Sequence, residues 1–439
     1  MDSLQLQKEK NYGIELLRIL SIMFVLILHI LGRGCVYPYT GSSIITSDHA
    51  ANYAAAWTLE TAAYGAVDLF ALISGFVGLY STFRFKKWLR LWVLVVFWGV
   101  FEFFLFDKCT FIFQGFNDLL CKIIPIVEPT VERYAATWAD YRDVIFTIGT
   151  KQFWYFNMYT FMFILLPILN EGLKKLDKKR LAVISFVLFI AASVYKTTVD
   201  RDIFVMGGGY SAMWLIVMYV FGATAKKYYD DGFRPNKLLC ILGFFVCTAI
   251  SAGFRFLFDY LYSIHPEEEK FHELNDLLIS YTGPFVVIGC VLLLFAFMQI
   301  KLRTKAGKKI TLFFSAASFG IYIIHVHTAI WDNYLKMRFY RYAYEPTWKM
   351  LIYIFVTMIA LYLFFAALEL ARIYLFKLTR FDKLIDLCGD GITKLTHKLF
   401  IDRAAKRAAA AECGIADAPT ETAPTENGVP AIDKKQTDR

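Results

Sequence analysis

The amino-acid sequence predicts an all-α, polytopic membrane protein with about ten transmembrane helices and both termini in the cytoplasm. Of the 439 residues, 57% are hydrophobic and 18% are aromatic, and the mean hydropathy is +0.47. The apolar residues come in runs of roughly 20, the length that crosses about 30 Å of hydrocarbon. The segments between the runs alternate between rich and poor in Lys and Arg, as loops on alternate sides of a membrane do.

Ten apolar runs have the length of a membrane span. They lie near residues 13–32, 61–83, 88–107, 152–171, 181–198, 210–228, 237–258, 277–300, 311–332 and 348–377. The first run is longer than the apolar core of a cleaved signal peptide, and no small-residue cleavage motif follows it. We therefore expect it to remain as the first span.

The basic connections give the predicted orientation. Those rich in Lys and Arg, expected on the cytoplasmic side, are residues 84–90, 173–180, 225–237 and 301–309. The intervening connections are nearly uncharged, short or acidic, and comprise residues 33–60, 199–209 and 265–276. The exception is 333–347, which carries Lys336, Arg338 and Arg341. An even number of spans with both termini in the cytoplasm accounts for the charges of the other connections.

Four segments follow from this pattern. Residues 1–12 form a cytoplasmic N-terminus, 13–378 the membrane domain, 379–400 an amphipathic segment suited to the inner membrane surface, and 401–439 a polar, disordered cytoplasmic tail. Within the membrane domain, the moderately apolar stretch 110–126 is interrupted by Gly, Asp and Lys. We expect it to be an external or interfacial helix rather than a span.

The charge and the cysteines argue against two other classes of protein. The net charge of +9 does not indicate nucleic-acid binding, because basic cytoplasmic loops alone make a membrane protein basic. The eight cysteines are scattered singly, without the CxxC spacing of a zinc or redox site. We expect no metal site and no permanently bound cofactor.

The first span carries two polar residues on one face. Arg18 and His29 are eleven positions apart, which is about three helical turns plus 20°, so they lie on one stripe about 16 Å apart. Glu15 can pair with Arg18 from one turn away. A snorkelling cation and a structural histidine contact are the alternative explanations. Polar residues on one intramembrane stripe, however, normally face a cavity or a bundle interior.

The second and third spans each contain an acid. Asp68 lies in the outer half of its span, at about the depth of His29, where a carboxylate would fix the tautomer of the imidazole and raise its basicity. The alternative for Asp68 is a hydrogen bond to backbone or to a Trp. Glu102 is a further candidate carboxylate in the outer half, and close helix packing explains Ser74 and Gly75.

A basic turn joins the second and third spans. It contains Arg84, Lys86, Lys87 and Arg90. The tendency of cytoplasmic loops to be positive is a sufficient explanation for this cluster. If the turn has a function, the chemistry indicates an anion site, for instance for the phosphates of a nucleotide-containing donor.

Two later spans contribute polar groups. Trp154 and Asn157 begin the fourth span, where an aromatic belt is also expected. In the ninth span, Ser318, Tyr322 and His325 are spaced by four and three residues and share one face. His325 thus reaches the outer half, whereas His327 lies on another face.

Together these motifs resemble the acyltransferase 3 family, integral-membrane acyltransferases of cell-surface polysaccharides. The resemblance covers residues 11 to about 378 and lies in the R-x10-H pattern of Arg18 and His29, in "GAVDLFALISGF", in "FWYFNMYTFMFILLPILN" and in "SFGIYIIHVH". It implies that cytoplasmic acyl-CoA, usually acetyl-CoA, donates an acyl group to a glycan hydroxyl on the outer side. It also implies that His29 matches the essential histidine of the family and Arg18 its motif partner.

The resemblance also bears on the donor and on the oxyanion. Lys87 and Arg90 stand at the position of RxxR-like donor contacts in the family, although this turn reads K-x-x-R. Acyl transfer needs a base or an acyl carrier, and His29 can be either. Tyr322, Asn157 or Asp68 could contribute polar groups near the oxyanion.

The sequence therefore predicts a membrane O-acyltransferase, in the first instance an O-acetyltransferase, of the bacterial plasma membrane. Its expected partners are the acyl-CoA donor, a surface glycan acceptor and the lipid bilayer, with a homo-oligomer also compatible. The competing hypothesis is a secondary transporter or exporter of a glycan or organic anion that uses intramembrane His, Asp and Arg as a proton relay. The absence of a visible inverted repeat argues against it. A structural or sensory module would leave the Arg18–His29 stripe unexplained.

Overall fold

The structure is a computed structural model that describes residues 10–41, 43–44, 49–147, 152–199 and 201–396. It is 78% helical, and its described residues contain no strand, which confirms the all-α prediction. The predicted tail at 401–439, residues 1–9 of the N-terminal segment and the end of the segment 379–400 lie outside the described residues.

Helices follow one another along the whole described chain. The α-helices are α1 Tyr12–Leu31, α2 Val36–Tyr39, α3 Ala50–Ala63, α4 Ala66–Gly78, α5 Phe85–Lys108, α6 Thr110–Ile123, α7 Trp138–Ile145, α8 Trp154–Lys175, α9 Lys178–Phe189, α10 Lys196–Val199, α11 Ala212–Asp230, α12 Lys237–Ile264, α13 Glu269–Leu274, α14 Pro284–Phe297, α15 Lys305–His325, α16 Thr328–Ile330, α17 Thr347–Leu378 and α18 Phe381–Thr396. Two π-helical turns, Ile190–Tyr195 and Trp331–Leu335, and two 3-10 turns, Gly207–Gly209 and Tyr340–Tyr344, complete them.

Eight helical segments of the described chain are long and apolar enough to cross a membrane. They are Tyr12–Tyr39, Ala50–Gly78, Phe85–Lys108, Trp154–Lys175, Lys178–Val199, Lys237–Ile264, Lys305–His325 and Thr347–Leu378. The predicted spans near 210–228 and 277–300 form α11 and α14, which are not among the eight, and α14 has only 14 residues. Length and composition thus support eight spans, where the sequence predicts about ten.

Helix α1 occupies the centre of the bundle. It packs against α3, α4, α14, α15 and α17, and its buried residues run along its full length, from Ile14 to Leu31. Because protein surrounds α1, its polar side chains face other helices rather than lipid. We name the two ends of the bundle by their residues: the basic end holds Tyr12 and the turn 84–90, and the His29 end holds His29 and the turn Trp331–Leu335.

The second candidate span, Ala50–Gly78, is broken near its middle. Helix α3 ends at Ala63 and α4 begins at Ala66, and the Gly65 carbonyl between them accepts a hydrogen bond from Cys290 Sγ at 3.3 Å. A side chain at Gly65 would lie 2.2 Å from that sulfur. Non-helical backbone at membrane depth is tolerated when it is enclosed by protein. The break places Asp68 in the first turn of α4, where the helix dipole favours a carboxylate.

Helices α4 and α11 meet through two glycines. A Cβ on Gly75 would lie 2.0 Å from the Tyr219 carbonyl oxygen, and a Cβ on Gly222 would lie 2.0 Å from the Leu72 carbonyl oxygen. The close-packing explanation of Gly75 is therefore confirmed. Small residues that let two backbones approach this closely are typical of helix contacts in membranes.

The basic loop 333–347, which departs from the predicted alternation of loop charge, has a structural explanation. Arg338 is buried at the His29 end and donates to the carbonyls of Glu128 at 2.8 Å and Thr130 at 3.1 Å and to Asn117 Oδ1 at 3.2 Å. It thereby attaches α6 and the chain after it to the segment that follows α15. Helix α6 is the helix expected at 110–126, and it is not among the eight candidate spans.

The glycine contact between α4 and α11 gives the first prediction. We expect Gly222→Ala to lower the free energy of unfolding by about 1–3 kcal/mol, because its methyl group forces the two backbones apart. The matched control is Gly253→Ala in α12, where no atom lies within 4 Å of the added carbon; it should leave stability unchanged or raise it by up to about 1 kcal/mol. Thermal unfolding in detergent, followed by labelling of buried cysteines, measures both. Equal melting temperatures for the two variants would contradict the contact.

Candidate active site

A cavity of about 450 Å³ lies beside His29. Half of its sixteen lining residues are Phe, Trp or Tyr: Phe70, Trp154, Tyr155, Tyr210, Tyr281, Phe319, Tyr322 and Trp331. Its polar groups are fewer and include His29, Gln152, Thr328 and Asp332. An apolar cavity with a few convergent polar groups is the usual form of a small-molecule site.

His29 is held by a second histidine. His325, which is completely buried, places Nε2 2.8 Å from His29 Nδ1 and Nδ1 2.6 Å from the Ile321 carbonyl oxygen. The carbonyl can only accept, so Nδ1 of His325 carries a proton, and in the neutral ring Nε2 is then the acceptor. His29 must therefore donate from Nδ1, which leaves its Nε2 unprotonated. No described residue forms a hydrogen bond with that nitrogen, and His29 lines the cavity.

Trp331 also packs against the His29 ring. The two ring centroids are 4.7 Å apart at an interplanar angle of 86°. Arg33, one turn after His29, donates from Nε to the Trp331 carbonyl at 3.0 Å and places its guanidinium 5.3 Å from the indole centroid. Arg33 also forms an ion pair with Asp332. These contacts involve a π-helical turn, a geometry that is frequent at functional sites.

Helices α1 and α15 run parallel and in register. At the basic end, Arg18 Nη1 donates to Ser315 Oγ at 3.2 Å, and Glu15 contacts both of these residues. Eleven residues later on α1 and ten residues later on α15, His29 meets His325. The two ends of the predicted stripe are thus both bound to α15, and we call the contact between them the α1–α15 seam.

The middle of the α1–α15 seam contains two hydroxyl groups. Ser318 and Tyr322 lie on the face of α15 that also bears Ser315 and His325. The side-chain oxygens of Ser318 and Tyr322 are buried and have no hydrogen-bond partner among the described residues. Tyr322 lines the cavity, and so does Gln152, whose Nε2 is likewise buried without a partner in the described chain. Unpaired buried polar atoms in a cavity wall indicate places where a ligand can bind.

Asp68 does not contact His29. Its Oδ1 accepts a hydrogen bond from Trp214 Nε1 at 2.7 Å, and the residue is completely buried outside the cavity wall. The alternative partner considered from the sequence, a Trp, is the one that the structure contains. The position of Asp68 in α4 is compatible with the predicted location in the outer half of the span. The side chain, however, points to Trp214 on α11.

Glu102 belongs to a separate buried cluster. Its Oε2 lies 3.1 Å from His327 Nδ1, and His327 Nε2 lies 3.0 Å from the Gly99 carbonyl oxygen. Both side chains are fully buried, and neither lines the His29 cavity. The structure therefore does not bring Glu102 to the site. It pairs Glu102 with the histidine that the sequence places on another face.

The basic turn is partly covered by the amphipathic segment predicted at 379–400, which forms α18. Arg90 makes two hydrogen bonds to the Asp386 carboxylate, at 2.9 and 2.7 Å, and Lys86 Nζ lies 3.0 Å from Asp390 Oδ2. Gly389 allows this approach, since a Cβ there would lie 2.6 Å from Lys86 Cβ. Arg84 and Lys87 form no ion pair with a described residue and are exposed. Of the four cations predicted at the donor site, two are therefore ion-paired with α18, and the other two form no ion pair with a described residue.

The remaining predicted residues and several unpredicted ones complete the site. Trp154 lines the cavity, whereas Asn157, one turn further along α8, does not. Sequence reasoning did not single out Tyr210, Tyr281, Trp331 and Asp332. Aromatic residues are so common in this chain that no local signal separated the three aromatic ones from a membrane-interface belt. Among the described residues, no group of three or more His, Cys, Asp or Glu could hold a metal ion.

This arrangement can accept a proton from a hydroxyl group held in the cavity. His29 supplies an oriented, unprotonated nitrogen, and Tyr322 and Gln152 supply hydrogen-bond donors nearby.

Comparison with known proteins agrees with this chemistry. The model of the acyltransferase 3 family, described as an acyltransferase domain, matches residues 11–366, which include His29, the cavity wall and both helices of the α1–α15 seam. No curated protein and no solved structure matches the chain. The eight apolar helices and the family match together identify the chain as a multi-pass membrane acyltransferase that belongs to the acyltransferase 3 family.

Proposed function

We propose that the protein transfers an acyl group, acetyl in the first instance, from cytoplasmic acyl-CoA to a hydroxyl group of a polysaccharide on the outer side of the bacterial plasma membrane. The observation that carries the proposal is the unprotonated Nε2 of His29, a residue that lines the aromatic cavity and is oriented by the hydrogen bond to His325. The basic end of the bundle would face the cytoplasm, in accord with its Lys and Arg content.

His29 would act as the general base. The acceptor oxygen attacks the thioester carbonyl carbon while its proton passes to Nε2 of His29. Collapse of the tetrahedral intermediate breaks the C–S bond, and the leaving thiolate takes the proton from His29. Tyr322 and Gln152 carry unpaired donors in the same cavity and could stabilise the oxyanion. Asp68 and Asn157 do not line the cavity, so we assign them no part in this step.

The cavity wall supports a sugar acceptor. Trp and Tyr rings combine large apolar faces with polar edges, and a sugar ring likewise has apolar faces and a rim of hydroxyl groups. The wall contains eight aromatic rings and few polar groups that could orient such a ring.

The donor phosphates would bind at the basic end. Arg84 and Lys87 are available there without rearrangement, and Arg18 lies at the start of the α1–α15 seam with 27% of its side chain exposed. Lys86 and Arg90 would become available when α18 moves away from the start of α5.

Replacement of His29 tests the proposal directly. We expect His29→Ala and His29→Gln to lower acyl transfer by about 10²- to 10⁴-fold, the usual contribution of a general base. Membranes that contain each variant are supplied with labelled acetyl-CoA, and label is measured in glycan. The control is His265→Gln, because His265 is exposed beyond the end of α12. Undiminished transfer by both His29 variants would overturn the role of His29.

Replacement of His325 tests how His29 is oriented. His325→Ala removes the acceptor for His29 Nδ1–H, so either nitrogen of His29 can then carry the proton. We expect kcat to fall about 10-fold or more, with a smaller change in the acceptor KM. Melting temperature distinguishes this effect from unfolding. A folded variant with an unchanged kcat would show that His325 does not orient the base.

The ion pairs of α18 test the donor site. The double substitution Asp386→Asn and Asp390→Asn should lower the KM for acetyl-CoA about two- to fivefold, since exposed ion pairs of this kind contribute at most about 1 kcal/mol. Asp382→Asn is the control, because Asp382 lies on the same helix and forms no ion pair within the described residues. A KM that does not change in the double variant would show that Lys86 and Arg90 do not bind the donor.

A further inference from the structure

We propose that Asp332, held in place by Arg33, determines which acceptor is modified: its carboxylate would accept hydrogen bonds from two adjacent hydroxyls of a neutral sugar and so present a third hydroxyl to His29. This inference rests on the proposed function and adds to it the chemical class of the acceptor, a sugar with a vicinal diol beside the hydroxyl that is acylated.

Asp332 is the only carboxylate among the described residues that line the cavity. The wall around it is dominated by aromatic rings, and 46% of the Asp332 side chain is exposed. A carboxylate accepts hydrogen bonds and cannot donate them when ionised. Asp332 is therefore suited to bind hydroxyl donors of a ligand in the cavity.

Arg33 fixes this carboxylate in one orientation. Its Nη2 contacts Oδ1 of Asp332, and its Nε donates to the carbonyl of Trp331, the preceding residue, at 3.0 Å. No described residue donates to Oδ2 of Asp332, so that oxygen retains its full capacity to accept. Because the guanidinium of Arg33 contacts both Trp331 and Asp332, the carboxylate loses little further freedom when it binds a ligand.

The same turn connects Asp332 to the proposed base. Trp331 packs edge-on against the His29 ring at 4.7 Å between centroids, and Asp332 is the next residue in the chain. Both Asp332 and His29 line the one cavity. An acceptor bound there can contact the carboxylate and the base at the same time.

This geometry makes hydroxyl recognition a source of specificity. A site built to bind a substrate hydroxyl strongly rejects an analogue that lacks it, because the polar group of the protein is then left without its partner. The aromatic rings could hold many sugars, whereas the carboxylate would hold only those with hydroxyls at the correct positions.

The experiment uses the full-length protein in lipid nanodiscs with labelled acetyl-CoA and a panel of methyl hexopyranosides of gluco, galacto and manno configuration. For the best acceptor, its monodeoxy analogues are compared. We expect Asp332→Asn to raise the KM for that acceptor about 10- to 100-fold, the effect of losing hydrogen bonds to a charged group. The slow transfer of acetyl to water is measured in parallel to show that each preparation is active, and the melting temperature shows that the variant is folded.

Two further measurements make the test specific. Removal of a hydroxyl that binds Asp332 should raise the KM for the wild-type enzyme and abolish the difference between wild type and Asp332→Asn. Arg33→Lys, which keeps the charge but loses the two-residue contact, should raise the acceptor KM by a smaller factor. Asp143→Asn, an exposed acid on α7, is the matched control.

The results that would contradict the role of Asp332 differ from those that would contradict the proposed function. Equal acceptor KM values for wild type and folded Asp332→Asn would overturn the role of Asp332, and so would failure of every vicinal diol in the panel to accept acetyl from an enzyme that still transfers it to water. If the proposed function itself is wrong, His29→Ala will leave both transfer to sugar and transfer to water unchanged.

Discussion

The hydrogen bond between His29 and His325 is the interaction on which the site depends. Each imidazole would carry an unsatisfied polar group if it were buried alone among apolar helices, at a cost of several kcal/mol for each unpaired group. In the pair, His29 Nδ1 donates to His325 Nε2, and the Ile321 carbonyl accepts from His325 Nδ1, which fixes the direction of the proton. The bond therefore joins α1 to α15, orients His29 and leaves one basic nitrogen of this cavity-lining residue without a hydrogen bond to a described residue.

The remaining contacts of the site keep that bond in place. Arg18 and Ser315 repeat the α1–α15 contact at the basic end, which fixes the axial register of the two helices. Arg33 attaches the end of α1 to the turn after α15, and this turn brings Trp331 against the ring of His29. Since α1 is enclosed by protein along its length, a shift of α1 relative to α15 would break contacts at both ends at once.

Helical periodicity predicted which residues share a face but not which faces meet. Arg18 and His29 on one stripe, and Ser318, Tyr322 and His325 on another, follow from 3.6 residues per turn. That the two stripes belong to neighbouring parallel helices depends on packing between residues nearly 300 positions apart, for which the sequence holds no local signal. Asp68 illustrates the limit: its depth could be predicted, but the break at Gly65 and the contact of α4 with α11 direct it to Trp214.

The charges at the basic end also show that the sequence alone does not identify which residues come into contact. The composition of the turn 84–90 predicted its side of the membrane, but the partners of Lys86 and Arg90 come from α18, about 300 residues later. Likewise, the excess of Lys and Arg in 333–347 disturbed the predicted pattern because Arg338 serves packing rather than topology. A count of cations cannot separate these uses, since each depends on the acceptors that the fold places nearby.

The unpaired hydroxyls of the α1–α15 seam suggest why a protein of this type would keep polar groups between its two ends. Buried hydroxyls without partners cost free energy, and an apolar pair of the same size would pack with less cost. Ser318 and Tyr322 lie between Arg18 at the basic end and His29 at the other end. A thioester that moves from one end toward the other brings a carbonyl and, in the donor arm, amide groups that can use these hydroxyls. In the proposed reaction, the cost in the empty protein would then be offset when the donor is bound along the seam.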